Sequence, residues 1–148
     1  MTTWAEFMAD APDLAGAGER LLYRTGHGQA LLATVRDDQP PRIHPISVGI
    51  EAGGLYAFIN PSPKRSDLER DGRYALHTHQ DPVAPNEFSL RGRVRLVNDA
   101  GLRRTVASGW YFDADESYAL FEFDIDSALY GARSSPDEWP PRYTTWAA

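Results

Sequence analysis

Within the segment 87–97, ten successive residues alternate strictly between polar and apolar. One face of this segment carries Phe88, Leu90, Gly92, Val94 and Leu96, and the other carries Glu87, Ser89, Arg91, Arg93 and Arg95. Because successive side chains of a strand point to opposite faces, this pattern predicts a long antiparallel strand with one buried face. Residues 120–126 repeat the pattern, with Phe121, Phe123 and Ile125 predicted inward and Glu122, Asp124 and Asp126 predicted outward.

The polar faces of these two strands have opposite charge. Arginines on one strand and acids on the other could pair across neighbouring strands, each pair contributing about 0.2–1 kcal/mol. The arginine row could also form a surface for an anionic ligand, so the pattern leaves both interpretations open.

Four further segments predict strands: residues 29–35, 42–50, 55–59 and 74–78. Pro45 donates no hydrogen bond, which places that point of its strand at a sheet edge or a bulge. Residues 55–59 are apolar on both faces, as expected of a central strand.

Helix signals are short and lie between these strands. Thr3 and Glu6 form a capping-box pattern for a helix through about Met8, and a second helix could start at Asp10 and Pro12. Residues 64–70 predict a short helix, and Asp99 can cap another that runs through Ala107. Together these elements predict a mainly β fold, a small antiparallel barrel with flanking short helices, in a single domain spanning residues 1–148.

The amino-acid composition and net charge exclude several classes of site and of binding partner. The 148 residues contain no cysteine, which excludes disulfides, thiolate metal sites and cysteine nucleophiles. The net charge of −6 argues against a general binder of nucleic acid or of anionic membranes. No apolar run approaches a membrane span and the N-terminus lacks a basic signal region, so we expect a cytoplasmic protein without nucleic-acid or membrane partners.

The strongest candidate site joins the strand at residues 55–59 to the following helix. Ser62, Lys64, Arg65 and Ser66 place two hydroxyls and two cations at the predicted helix N-terminus, where free amides and the helix dipole favour an anion. Lys64 is the only lysine in the chain, although arginine occurs fourteen times. A compact ammonium kept at this point indicates a phosphate site.

The strand at residues 42–50 is expected next to this site. A tight turn joins it to the strand that precedes Ser62, which should place His44 and Ser47 within one ligand's length of Lys64. A different hypothesis is a metal site built from His77 and His79, which share a strand face, with Glu87 as a third ligand. No serine lies in a nucleophile elbow.

In order and spacing, these segments resemble the pyridoxamine 5′-phosphate oxidase-like, FMN-binding split-barrel family. The residues that carry the resemblance are the apolar strand 31–35, the strand 42–47, the strand 55–60 and the loop and helix start at 62–68. The resemblance covers about residues 14–130. It implies a six-stranded antiparallel split barrel that forms a homodimer, with FMN bound between the subunits and with oxidoreductase activity on a small-molecule substrate.

The resemblance also implies roles for individual residues. His44, Pro45, Ile46 and Ser47 would line the flavin ring and ribityl chain, and Phe58 and Ile59 would touch the cofactor at the end of the next strand. Ser62, Lys64, Arg65 and Ser66 would hold the phosphate. Glu87 and Tyr130 match positions near the ring.

Some residues depart from the family pattern. The oxidase has arginine where this chain has His44 and Pro63, and Arg65 is a candidate to supply the missing charge. Glu87 replaces a glutamine. The helical region that holds pyridoxal phosphate is not reproduced between residues 99 and 115, so the sequence does not predict the vitamin B6 reaction.

Three hypotheses follow. The first is an FMN-dependent oxidoreductase whose substrate the sequence does not identify. The second is a deazaflavin-dependent reductase on the same barrel, with Arg91, Arg93 and Arg95 binding a longer acidic tail. The third is a non-catalytic protein that binds flavin or haem, with histidines such as His27 and His44 as axial ligands.

Overall fold

Eight strands and four short helices make up the computed structural model, which describes all 148 residues. The helices are α1 (Trp4–Asp10), α2 (Pro12–Leu22), α3 (Pro63–Arg70) and α4 (Ala100–Ser108). The strands are β1 (Gln29–Arg36), β2 (Gln39–Ser47), β3 (Gly49–Glu51), β4 (Gly54–Ile59), β5 (Arg73–His77), β6 (Glu87–Leu96), β7 (Ala119–Ala132) and β8 (Arg142–Ala147).

All strands belong to one antiparallel sheet that curls into a half-barrel. The strand order is β2-β1-β5-β6-β7-β4-β3. The two edge strands, β2 and β3, are separated in the chain by Val48 alone, so the sheet must bend until its edges meet. The amide of Val48 donates to the carbonyl of Gly28 (3.0 Å) and fixes this crossing point.

The barrel is split along β7. Residues 119–122 of β7 pair with β4, whereas residues 127–132 pair with β8 on the same side. The mainly β split-barrel prediction is confirmed, and all six expected strands are present as β1, β2, β4, β5, β6 and β7. The short β3 and the C-terminal β8 are additional, and the segment predicted as one strand over residues 42–50 is two strands because the chain changes sheet edge at Val48.

The inner face of the sheet forms the core. Phe88, Leu90, Phe121, Phe123 and Ile125 are all fully or almost fully buried, as the alternation predicted. Helix α2 covers this face closely, since a Cβ atom at Gly18 would lie only 2.3 Å from the Phe88 ring. The capping box at Thr3 and Glu6 and the Asp99 cap of α4 are also present.

Two predictions about the β6–β7 pair need correction. Leu96 is 46% exposed, not inward, because β5 starts at Arg73 opposite Arg93 and leaves the end of β6 uncovered. Glu122 lies on the polar face but is only 3% exposed, since Arg95 pairs with it from the facing strand. Arg95 is the member of the arginine row that forms the expected cross-strand ion pair.

Every helix is too short or too polar to cross a lipid bilayer.

Candidate functional site

Helix α3 begins with an uncapped N-terminus. Ser62 occupies the N-cap position, but its hydroxyl donates back to the carbonyl of Asn60 (2.9 Å) and accepts no amide of the first turn. The amides of Lys64 and Arg65 donate to no backbone carbonyl, and the first amide bonded in this way is that of Ser66, to Ser62 (3.1 Å). Free amides at the positive end of a helix dipole form a ready site for an anion.

Lys64 is the free cation at this terminus. It is half-buried and forms no ion pair or hydrogen bond within the chain. Arg65 is already engaged, because its Nε donates to Glu69 (2.9 Å) and its Nη1 donates to the carbonyl of Ser117 (2.7 Å). The structure therefore assigns the two neighbouring cations different positions, with Lys64 open and Arg65 tying α3 to the loop before β7.

Asp67 fixes α3 to the sheet. This carboxylate is only 2% exposed and accepts hydrogen bonds from Thr34 of β1 (2.7 Å), Arg42 of β2 (2.9 Å) and Arg70 of α3 (3.0 Å). Burial acts to raise the pKa of Asp67, but the hydrogen bonds from Arg42, Thr34 and Arg70 outweigh it and lower the pKa. The ionised carboxylate holds α3 against β1 and β2.

His44 faces the same place from β2. Its Nε2 atom is buried and has no hydrogen-bond partner. Burial lowers the pKa of His44, and the positive charges of Lys64 and Arg42 lower it further. The imidazole is therefore neutral at pH 7. The predicted adjacency of the segment 42–50 to the strand before Ser62 is met only by its last residues, which pair with β4 as β3. Strand β2 pairs with β1, and Arg42 connects it to α3 through Asp67.

The end of β2 borders an open groove of about 360 Å³. Pro45, Ile46 and Ser47 line it, together with Gln29 and His79. Because β2 is an edge strand, one of its two rows of backbone hydrogen-bonding groups has no strand partner. A planar molecule with alternating donors and acceptors could use these free groups.

Tyr111 and His27, which the sequence analysis did not place in the groove, lie at its rim. The Ser47 hydroxyl shares a hydrogen bond with the Tyr111 hydroxyl, and the Tyr111 ring stacks on His27 with centroids 4.0 Å apart. The run of three aromatic residues at 110–112, inside an otherwise polar loop, is the signal that could have found Tyr111.

Phe58 and Ile59 lie inside the protein. Phe58 packs beneath α4 against Trp110, with the Arg103 guanidinium 5.0 Å from its ring centre, and Ile59 belongs to the main core. Protein atoms cover both side chains, so only their backbone could contact a ligand.

Glu87 and Tyr130 lie elsewhere on the sheet. They stand at the start of β6 and near the end of β7, and β1 and β5 separate them from β2. With strands about 4.8 Å apart, β6 lies roughly 14 Å from β2 along the sheet. A hydrogen bond with Glu87 raises the pKa of Tyr143, and the Oε2 atom of Glu87 is buried without a partner. One chain does not bring Glu87 and Tyr130 to Lys64.

The residues of the alternative sites are also dispersed. Arg91 and Arg93 project from β6 on the exposed face, away from α3. His77 donates through Nδ1 to the carbonyl of Thr78 (2.6 Å), whereas His79 lines the groove beside Ser47. The structure gathers no group of three His, Asp or Glu side chains that could hold a metal ion.

No protein-family model and no curated protein sequence matches the chain. Solved structures do match it. One is a Clostridium acetobutylicum protein described as related to general stress protein 26 and to the pyridoxinephosphate oxidase family, with 14% identity, a TM-score of 0.62 and coverage of 92% of this chain and 94% of that one.

Two other matches carry cofactor names. An FAD-binding protein from Mesorhizobium loti is 19% identical with a TM-score of 0.57, covering 74% of this chain and 88% of that one. A heme-binding protein from Mycobacterium smegmatis is 14% identical with a TM-score of 0.64, covering 88% of this chain and 57% of that one.

At these identities the likeness concerns the fold. The chain has the split-barrel fold of the pyridoxamine 5′-phosphate oxidase-like proteins, as the order of its sequence motifs predicted.

Proposed function

We propose that this protein binds FMN and is a flavin-dependent oxidoreductase of the split-barrel type, acting on a small molecule. The observation that carries the proposal is the unpaired ammonium of Lys64 at the uncapped N-terminus of α3, facing His44. The site has free donors on a helix, a strand and a side chain, and no protein acceptor satisfies them. A terminal phosphate supplies the acceptor oxygens that these groups lack.

The phosphate is held by Lys64, by the free amides of the first turn and by the hydroxyls of Ser62 and Ser66. Both hydroxyls now donate to nearby carbonyls, Ser66 to that of Ser62 (3.3 Å), and either can rotate towards a phosphate oxygen. Arg65 keeps its bonds to Glu69 and Ser117 and positions the helix, contributing charge at longer range.

The flavin ring lies along β2, where the free backbone edge and the groove beside Pro45, Ile46 and Ser47 receive it. When bound, the flavin supplies the hydride and electron chemistry. The chain's residues bind and orient it. Tyr111, which is hydrogen-bonded to Ser47 and stacked on His27, borders one end of the groove.

The active unit is a homodimer. The outer face of the sheet exposes apolar side chains around a shallow depression of about 300 Å³, lined among others by Leu31, Ala33, Ile43 and Ala75. Ile43 is 67% exposed there. A second copy that covers this face would bury these side chains and could bring its own Glu87 and Tyr130 towards the β2 edge of the first.

Sedimentation velocity of the purified protein tests the assembly. We expect a species of twice the 16.5 kDa chain mass. We expect Ile43→Lys to shift it towards the monomer, because a charge would replace an apolar contact. A wild-type protein that remains monomeric at all concentrations contradicts the dimer.

Absorbance titration of the purified protein tests the cofactor. FMN, a deazaflavin and haem are added separately, and we expect tight binding of FMN, seen as a shifted flavin spectrum and quenched fluorescence. Preference for the deazaflavin would support the second hypothesis, and a Soret band on adding haem would support the third. If the protein binds neither FMN, nor the deazaflavin, nor haem, the site has no cofactor role.

A further inference from the structure

We propose that His44 takes up a proton when a phosphate dianion binds at Lys64, so that the site couples phosphate binding to protonation. The identity of the ligand rests on the proposed function, whereas the coupling rests on the arrangement of α3 and β2. A site with arginine at position 44 would carry the charge permanently. With histidine, the charge forms only when the ligand is present.

The hydrogen bond between Arg42 and Asp67 places the two elements face to face (2.9 Å). His44 follows Arg42 by two residues and shares its face of β2. Lys64 precedes Asp67 by three residues and shares its face of α3. The imidazole and the ammonium therefore lie beside the same contact, and the charge of Lys64 acts on His44.

The surroundings of His44 hold it neutral without a ligand. Lys64 of α3 and Arg42 of its own strand face it with positive charge, and Asp67 of α3 is the acid that faces it. The Asp67 oxygens are already taken by Thr34, Arg42 and Arg70. On the β1 side the partner of His44 is the apolar Leu32. The buried Nε2 atom therefore has neither a donor nor an acceptor.

A phosphate dianion reverses this balance. Two negative charges beside Lys64 exceed its single positive charge, and a nearby opposite charge favours the protonated form of histidine. The proton comes from solvent and binds the free lone pair of the imidazole, and no other bond changes. A flavin without a phosphate brings no such charge, so its binding takes up no proton.

The protonation states of His44 in the free protein and in the complex determine how the affinity for the dianion changes with pH. The pKa of His44 is lowered in the free protein and raised in the complex, so the affinity for the dianion increases as the pH falls from 8 through the pKa of the complex. The flavin phosphate itself gains a proton near pH 6. The comparison is therefore made at pH 7.5, where that contribution is small.

Isothermal titration calorimetry of FMN binding at pH 7.5, in two buffers of different ionisation enthalpy, measures the proton uptake directly. We expect the wild-type protein to take up a fraction of a proton per FMN bound and His44→Gln to take up none. Arg104→Gln, at an exposed position of α4 away from the groove and from the proposed dimer face, is the control and should behave as the wild type. Riboflavin should bind without proton uptake to all three proteins. Equal uptake by the wild type and His44→Gln would overturn the proposal.

Histidine-resolved NMR of the wild-type protein keeps the test independent of the variant's folding. On adding FMN at pH 7.5, the His44 ring signals should move towards those of an imidazolium. If FMN does not bind, the proposed function fails, and inorganic phosphate then tests the coupling on its own. A His44 signal that stays at the neutral position with phosphate bound would refute it.

Discussion

Helices α3 and α4 begin in the same way and end up chemically different. Each starts after an extended residue with a short polar side chain, Ser62 for α3 and Asp99 for α4. The Asp99 carboxylate accepts the amide of Leu102 (3.0 Å), so the protein itself supplies an anion at that helix terminus. The Ser62 hydroxyl turns back to Asn60 and leaves the terminus of α3 open.

The difference separates a satisfied helix terminus from one that the proposed function assigns to a phosphate. A helix N-terminus that its own side chains satisfy contributes to stability and has nothing left for a ligand. The terminus of α3 lacks this satisfaction, and it also carries an unpaired lysine and a fixed orientation from buried Asp67. Under the proposed function, the open terminus gives up the stability that a cap would add and binds an anion instead.

Capping the N-terminus of α3 with a carboxylate, as Asp99 caps α4, should have the largest effect on FMN affinity. Ser62→Asp places a carboxylate where the phosphate is proposed to bind. At about 5 Å and an effective dielectric constant near 20, its repulsion costs roughly 3 kcal/mol per phosphate charge, so we expect FMN affinity to fall by about a hundredfold or more. Fluorescence titration measures this affinity.

The neutral variant Ser62→Asn is the matched control. Its amide can cap the helix without adding charge, so it should weaken FMN binding less than aspartate does, and riboflavin binding should change little in either variant. Equal FMN affinity in Ser62→Asp and the wild type would place the phosphate elsewhere.

Removing the cap of α4 should lower the stability of the fold and leave FMN binding unchanged. Asp99→Ala removes the cap from Leu102, a loss that typically costs about 1 kcal/mol. Denaturant unfolding should show a free energy of unfolding lower by that amount, with unchanged FMN affinity. A fall in FMN affinity would mean that α4 also belongs to the site.

Local sequence signals predicted the elements that local physics determines. The alternation of β6, the buried strand β4, both helix caps and the uncommon lysine at the start of α3 are all visible over a few residues. The contacts that orient the site are not local. Asp67 accepts hydrogen bonds from Arg42 and Thr34, which precede it by 25 and 33 residues. No local pattern in the sequence predicts these bonds.

The sequence predictions that were wrong or incomplete also concern contacts between residues far apart in the chain. Val48 carries the chain from one sheet edge to the other, so the segment predicted as one strand over residues 42–50 is divided between β2 and β3, and only the closed order of the sheet reveals this. The burial of Glu122 likewise depends on Arg95 reaching over it from β6. Tyr111 reaches Ser47 from a loop 64 residues away and could not be assigned to the groove from the sequence.

The most direct test of the account compares FMN with riboflavin, which differ only in the phosphate, in the wild type and in Lys64→Ala. We predict that the wild type prefers FMN and that Lys64→Ala loses about 1–3 kcal/mol of FMN binding free energy, as expected for a charge-assisted hydrogen bond, with riboflavin affinity unchanged. An unchanged preference for FMN in Lys64→Ala would contradict the assignment of the phosphate to the N-terminus of α3.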